Sequence, residues 1–157
     1  MGSIRKLKVV RLAFVPFLAG CGLSALIGPP EPGPVRLSVT SARIAGTLQR
    51  EEFRITATLV NDTDSQFLGG GCDRPTITIE TESPTGWVQL DDAIEVDDGI
   101  RCLVAFSLSA RSSISFESVF RRTAAGGRFP RDVPLRLQVY RAGRGLFGPT
   151  ATVTLTR

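Results

Sequence analysis

The densest chemistry in this chain is acidic. Asp91, Asp92, Glu95, Asp97 and Asp98 fall within eight residues and are followed by Gly99. Carboxylates this close could hold Ca²⁺. The spacing is not that of a helix-loop-helix calcium loop, which places acids at alternate positions and Gly at the sixth. A solvated acidic loop is the preferred reading and a Ca²⁺ site the alternative. Two of these acids could also serve a glycosidase if a cleft held them, but no sequence pattern marks a cleft.

Other catalytic chemistries are excluded by composition. The chain contains no histidine. That removes Ser-His-Asp and Cys-His catalysis, histidine metal sites and the usual general base near neutral pH. Lys6 and Lys8 are the only lysines, so a Ser-Lys dyad or Schiff base in the later chain is also excluded. Gly69-Gly70-Gly71 could cradle an anion through backbone amides. It lacks the Lys and Ser/Thr of a P-loop, and no helix is expected after it. A turn at Gly143–Pro149 places Arg144, Leu146 and Phe147 together. A cation beside large apolar groups on a loop is a plausible binding surface, and a core role for Phe147 is the plainer alternative. No cofactor fingerprint is present, and none is expected.

The elements that must position these residues alternate apolar with polar side chains, the period of half-buried strands. Val35, Leu37 and Val39 form one face. Phe53, Ile55, Ala57 and Leu59 form the next, against Arg54, Thr56 and Thr58. Asn61–Ser65 is a turn cluster. Ile77 and Ile79, then Trp87–Leu90, then Ile100, Cys102, Val104, Phe106 and Leu108 continue the pattern. Ile114, Phe116 and Phe120, then Leu135, Leu137 and Val139, then Val153 and Leu155 complete it. Residues 117–125 could form one or two helical turns. The spacing predicts about seven or eight strands in an all-β, antiparallel sandwich over residues 35–157. By strand number and spacing the domain resembles bacterial immunoglobulin-like domains. In that fold a core Trp often packs on an intersheet disulfide. Trp87 does lie between Cys72 and Cys102, although Cys72 follows three glycines.

The first 20 residues are of another kind. Arg5, Lys6, Lys8 and Arg11 precede the apolar stretch Leu12–Ala19. At about eight residues it is far short of the roughly 20 that a spanning helix needs, and Pro16 interrupts it. The stretch ends in Leu18-Ala19-Gly20-Cys21. This sequence resembles the lipobox of bacterial lipoproteins. The resemblance implies that residues 1–20 are a cleaved export signal, that Cys21 is the lipid anchor, and that the protein sits on the cell envelope, facing away from the cytoplasm. Gly22, rather than Asp, follows the cysteine. Where an outer membrane exists, that favours sorting to it. Residues 21–34, with Pro29, Pro30, Pro32 and Pro34, read as an extended tether holding the domain about 30–40 Å from the bilayer.

Removing the signal changes the charge. Four of the 19 basic residues leave with it, and 15 arginines then face 15 acids. A near-neutral chain has no basic stripe for nucleic acid. Cys72 and Cys102 remain as an even pair in an oxidising compartment, where a disulfide is the default. Closing a loop of about 30 residues contributes about 3–4 kcal/mol. The expected protein is a lipid-anchored envelope protein with a non-enzymatic binding or assembly domain and an envelope protein as partner. A carboxylate-dependent hydrolase and a proteinase-inhibitor or chaperone-like sandwich are the alternatives.

Overall fold

The computed structural model describes residues 23–47, 50–96, 105–124, 127–141 and 147–156, without the side chains of Leu23, Ser24 and Phe147. The described residues form eleven strands: β1 (Leu23–Ile27), β2 (Val35–Thr47), β3 (Arg50–Asn61), β4 (Phe67–Leu68), β5 (Ile77–Ser83), β6 (Gly86–Gln89), β7 (Ala93–Glu95), β8 (Ser107–Leu108), β9 (Ser112–Arg122), β10 (Pro134–Tyr140) and β11 (Phe147–Leu155). All pairings are antiparallel. The fold is an all-β sandwich. It has more strands than the seven or eight expected: β1 was read as tether, and β4 and β7 are pieces of two and three residues. Elements that short carry too little alternation to read.

The strand order is β6-β5-β10-β11-β1-β2-β3-β9-β7, with β4-β8 as a separate ladder. β1 joins the two layers. Its Leu23 and Ser24 pair with Ile44 and Arg43 of β2, while Ala25, Leu26 and Ile27 pair with Leu155, Thr154 and Val153 of β11. Leu23–Ile27 was expected to be tether and is instead part of the sandwich. Its apolar run, Leu-Ser-Ala-Leu-Ile, precedes the prolines and has backbone groups free to pair. The Pro-rich stretch that follows is the connection from β1 to β2.

Alternation explains the core. Leu37 and Val39, then Ala42 and Ile44, point inward from β2, as do Phe53, Ile55, Ala57 and Leu59 from β3. They meet Ile77 and Ile79, Leu135, Leu137 and Val139, and Ala151, Val153 and Leu155 of the other layer in one cluster. The parity change in β2 comes from a bulge between Val39 and Ser41, which places Thr40 and Ser41 both outside. Residues 117–122, read above as a possible helical turn, are the second half of β9. Arg121 there pairs in register with Glu52 of β3, and the two side chains form an ion pair. Trp87 lies outside the core. On β6 it takes the Arg136 guanidinium over its ring at 4.8 Å, and Arg136 in turn donates to Glu80 at 2.5 Å.

The end of the sandwich nearest Leu23 is closed by Phe129. It packs 5.4 Å from Phe53, which lies 6.1 Å from Phe120. The Phe129 N–H donates to the Glu51 carboxylate at 3.2 Å, and Arg131 pairs with the same carboxylate at 3.0 Å. This arrangement clamps the β9–β10 connection across the end of β3.

Candidate functional site: a groove at the end remote from Leu23

Nine residues of β2, about 30 Å at strand rise, separate Val35 from Ile44, the partner of Leu23. At the Val35 end a groove of about 390 Å³ opens. Pro34 and Val35 form one wall. Thr63, Ser65, Gln66 and Phe67, which follow β3, form the next. Arg141, Gly148 and Pro149, flanking the β10–β11 connection, form the third. Phe67 is 5% exposed, and the Arg141 guanidinium lies 6.0 Å from its ring centre, within cation–π range.

Asn61 holds the groove's rim. It is fully buried, and its side-chain NH₂ donates to the carbonyls of Ser65 and Ser109, both at 2.9 Å, and of Leu108 at 3.3 Å. Its Oδ1 accepts from the Thr63 N–H at 3.2 Å and lies 2.6 Å from the Thr63 hydroxyl. The Asp62 N–H donates to the Pro34 carbonyl at 2.8 Å. One amide therefore stitches the loop after β3 to the β8–β9 loop. Sequence reading placed Asn61 in a turn cluster and missed this role. Its position as the last, inward-facing residue of an apolar strand was the available signal. Asn61→Ala leaves the buried Leu108 carbonyl and the part-buried carbonyls of Ser65 and Ser109 without this donor and is expected to cost about 2–4 kcal/mol. Chemical denaturation measures this, and a loss under about 1 kcal/mol would show that the loop holds without it.

The glycine triplet forms the groove's support. The Gly69 N–H donates to the Phe106 carbonyl at 3.0 Å and the Gly70 N–H to the Tyr140 carbonyl at 2.9 Å, so those two amides do not face an anion. A Cβ on Gly70 would lie 2.5 Å from the Tyr140 ring, and Gly71 has φ +104°. Close approach and a left-handed turn are what these glycines supply.

The acidic cluster does not converge among the described residues. Asp92 pairs with Arg122 at 2.6 Å, and Glu95 lies 3.6 Å from Arg74 and accepts from the Ile77 N–H at 3.4 Å. Asp91 is exposed on a turn. Asp97 and Asp98 lie outside the described residues. No group of three or more metal-ligating side chains occurs among the described residues. The more enclosed carboxylates are likewise paired, Glu51 with Arg131, Glu52 with Arg121 and Arg54, and Glu80 with Arg136. Hydrogen bonds from Arg121 and then Arg54 hold the Glu52 carboxyl below its ordinary pKa. A carboxylate fixed in its charged form is a poor proton donor near neutral pH.

Arg144 and Leu146 of the expected binding loop lie outside the described residues. Phe147 opens β11 opposite Tyr140, and its side chain is also outside them. Cys72 is disulfide-bonded; Cys21 and Cys102 lie outside the described residues. Comparison of the chain with protein-family models, with curated proteins and with solved structures gives no match.

Proposed function

We propose that the mature chain is a lipid-anchored cell-envelope protein whose sandwich is a non-enzymatic binding module. In this reading residues 1–20 are removed, lipid on Cys21 holds the protein on the outward face of a membrane, and Cys72 pairs with Cys102. The observation that carries the binding reading is the groove about 30 Å of strand away from Leu23.

Its chemistry suits a short peptide segment of an envelope protein. Phe67, Pro34, Val35 and Pro149 offer an apolar lining, and Ser65, Thr63 and Gln66 offer hydrogen bonds at the rim. Arg141 makes no ion pair among the described residues and supplies a charge for a carboxylate. A volume of about 390 Å³ falls at the small end for ligand pockets and takes one or two side chains.

The test is capture of a partner from envelope extract by the detergent-extracted protein. Arg141→Ala is expected to weaken capture about tenfold, the effect of removing an interface hot spot, and Gln66→Trp, which fills the groove, to abolish it. Both side chains are exposed, so melting temperatures should stay within a few degrees of the parent. A partner that binds both variants as well as the parent refutes the groove as the binding site.

A further inference from the structure

We propose that the end of the sandwich nearest Cys21 docks on the membrane surface, with Arg43, Arg50 and Arg128 contacting anionic phospholipid headgroups. This rests on Cys21 being the lipid anchor.

The first argument is reach. β1 enters the sandwich at Leu23, opposite Ile44. Two residues of extended chain span at most about 7 Å, so Cys21 lies within that distance of Leu23. β2 continues past Ile44 through Ala45, Gly46 and Thr47, a further 10 Å or so at strand rise. Thr47 and its partner Arg50 therefore project as far as Cys21 can. With acyl chains on Cys21 inside the bilayer, this end of the β2–β3 hairpin is held within reach of the headgroup layer, and its charge decides how much of the time it makes contact.

Charge is the second argument. Arg43 sits on β2 directly opposite Ser24 of β1, and Arg50 opposite Thr47 at the hairpin. Arg128 adjoins Phe129, the plug packed on Phe53 at this same end. All three arginines are exposed, and none has an ion pair among the described residues. Most of the acids around them are engaged, although Glu117 lines a small pocket with Arg43 and forms no ion pair among the described residues. Glu51 holds Arg131, Glu52 holds Arg121 and Arg54, and Asp132 is engaged within the chain. Asp91 precedes β7, four strands from β1 in the order of the sheet, or about 19 Å at strand spacing, and the neighbouring Asp92 is paired with Arg122, which also donates to the Arg128 carbonyl. Three exposed arginines without ion pairs among the described residues thus gather beside the anchor although the mature chain is near neutral.

The test uses the full lipidated protein in vesicles, its acylation verified by intact mass. A fluorophore is placed at Thr47→Cys or, at the other end, Asp64→Cys, and quenching by a headgroup nitroxide is measured. In phosphatidylcholine mixed with phosphatidylglycerol, the Thr47 position is expected to be quenched several-fold more than the Asp64 position. Each replacement of Arg43, Arg50 or Arg128 by Gln should lower the contacting population about fivefold, and raised salt should act in the same direction. Equal quenching at the two ends, or quenching at Thr47 unchanged by the triple replacement or by pure phosphatidylcholine, overturns the docking. A mature protein whose mass shows no lipid on Cys21 overturns it too, and marks the anchor as the part that failed.

Discussion

Cells producing a Cys21→Ser protein are expected to release it into soluble fractions or to accumulate it uncut, whereas the parent remains with membranes. The thiol is the atom that a lipoprotein precursor presents for acylation, and Ser offers no sulfur. Each buried methylene contributes about 0.8 kcal/mol, and a single acyl chain binds only marginally. Two or more chains on Cys21 would therefore dominate attachment. No helix among the described residues is long and apolar enough to cross a membrane. Arg43, Arg50 and Arg128 would contribute only about 1 kcal/mol each at an anionic surface. Fractionation with intact-mass measurement reads the result. Unchanged membrane retention with normal processing would eliminate Cys21 as the anchor.

Phe53→Ala is expected to destabilise the sandwich by about 3–5 kcal/mol. Phe53, Phe120 and Phe129 are each no more than 1% exposed, and Phe53 sits between the other two rings. Removing it opens a cavity that β3 cannot close, because β3 is paired along its length to β2 and to β9. It also leaves Phe129 without the ring that seats it, so the connection clamped by Glu51 and Arg131 should loosen. Chemical denaturation measures the loss, and proteolysis near Arg128 should rise. A loss below about 1.5 kcal/mol would mean that the end of the barrel of side chains repacks, and that Phe129 is not held by Phe53.

The long strands were legible because one face of each is wet. Leu37 and Val39, Phe53 to Leu59, and Leu135 to Val139 alternate as a half-buried strand must, and each set is buried. β4 and β7 were not legible, since two or three residues hold no period. β1 was hidden by its neighbours. The prolines after it suggested an extended tether, and nothing local indicates that Leu23 and Ala25 find partners in different strands far along the chain. The groove was half visible. The β10–β11 connection was singled out in sequence, but the residues described at the site are Arg141, Phe67, Pro34 and Asn61, which come from separate segments.

The sequence by itself determined the strand periodicity, the exclusion of histidine and lysine chemistry, and the balance of 15 arginines against 15 acids after residue 20. These follow from residue types and near-neighbour spacing alone. Only the tertiary structure decided which charges remain unpaired. Glu51 meets Arg131 and Glu80 meets Arg136 across more than fifty residues of sequence, while Arg43 and Arg141 meet no carboxylate among the described residues. Ion pairing depends on distances of a few ångströms between side chains, and in an antiparallel sandwich those distances are set by register and layer packing, not by position along the chain.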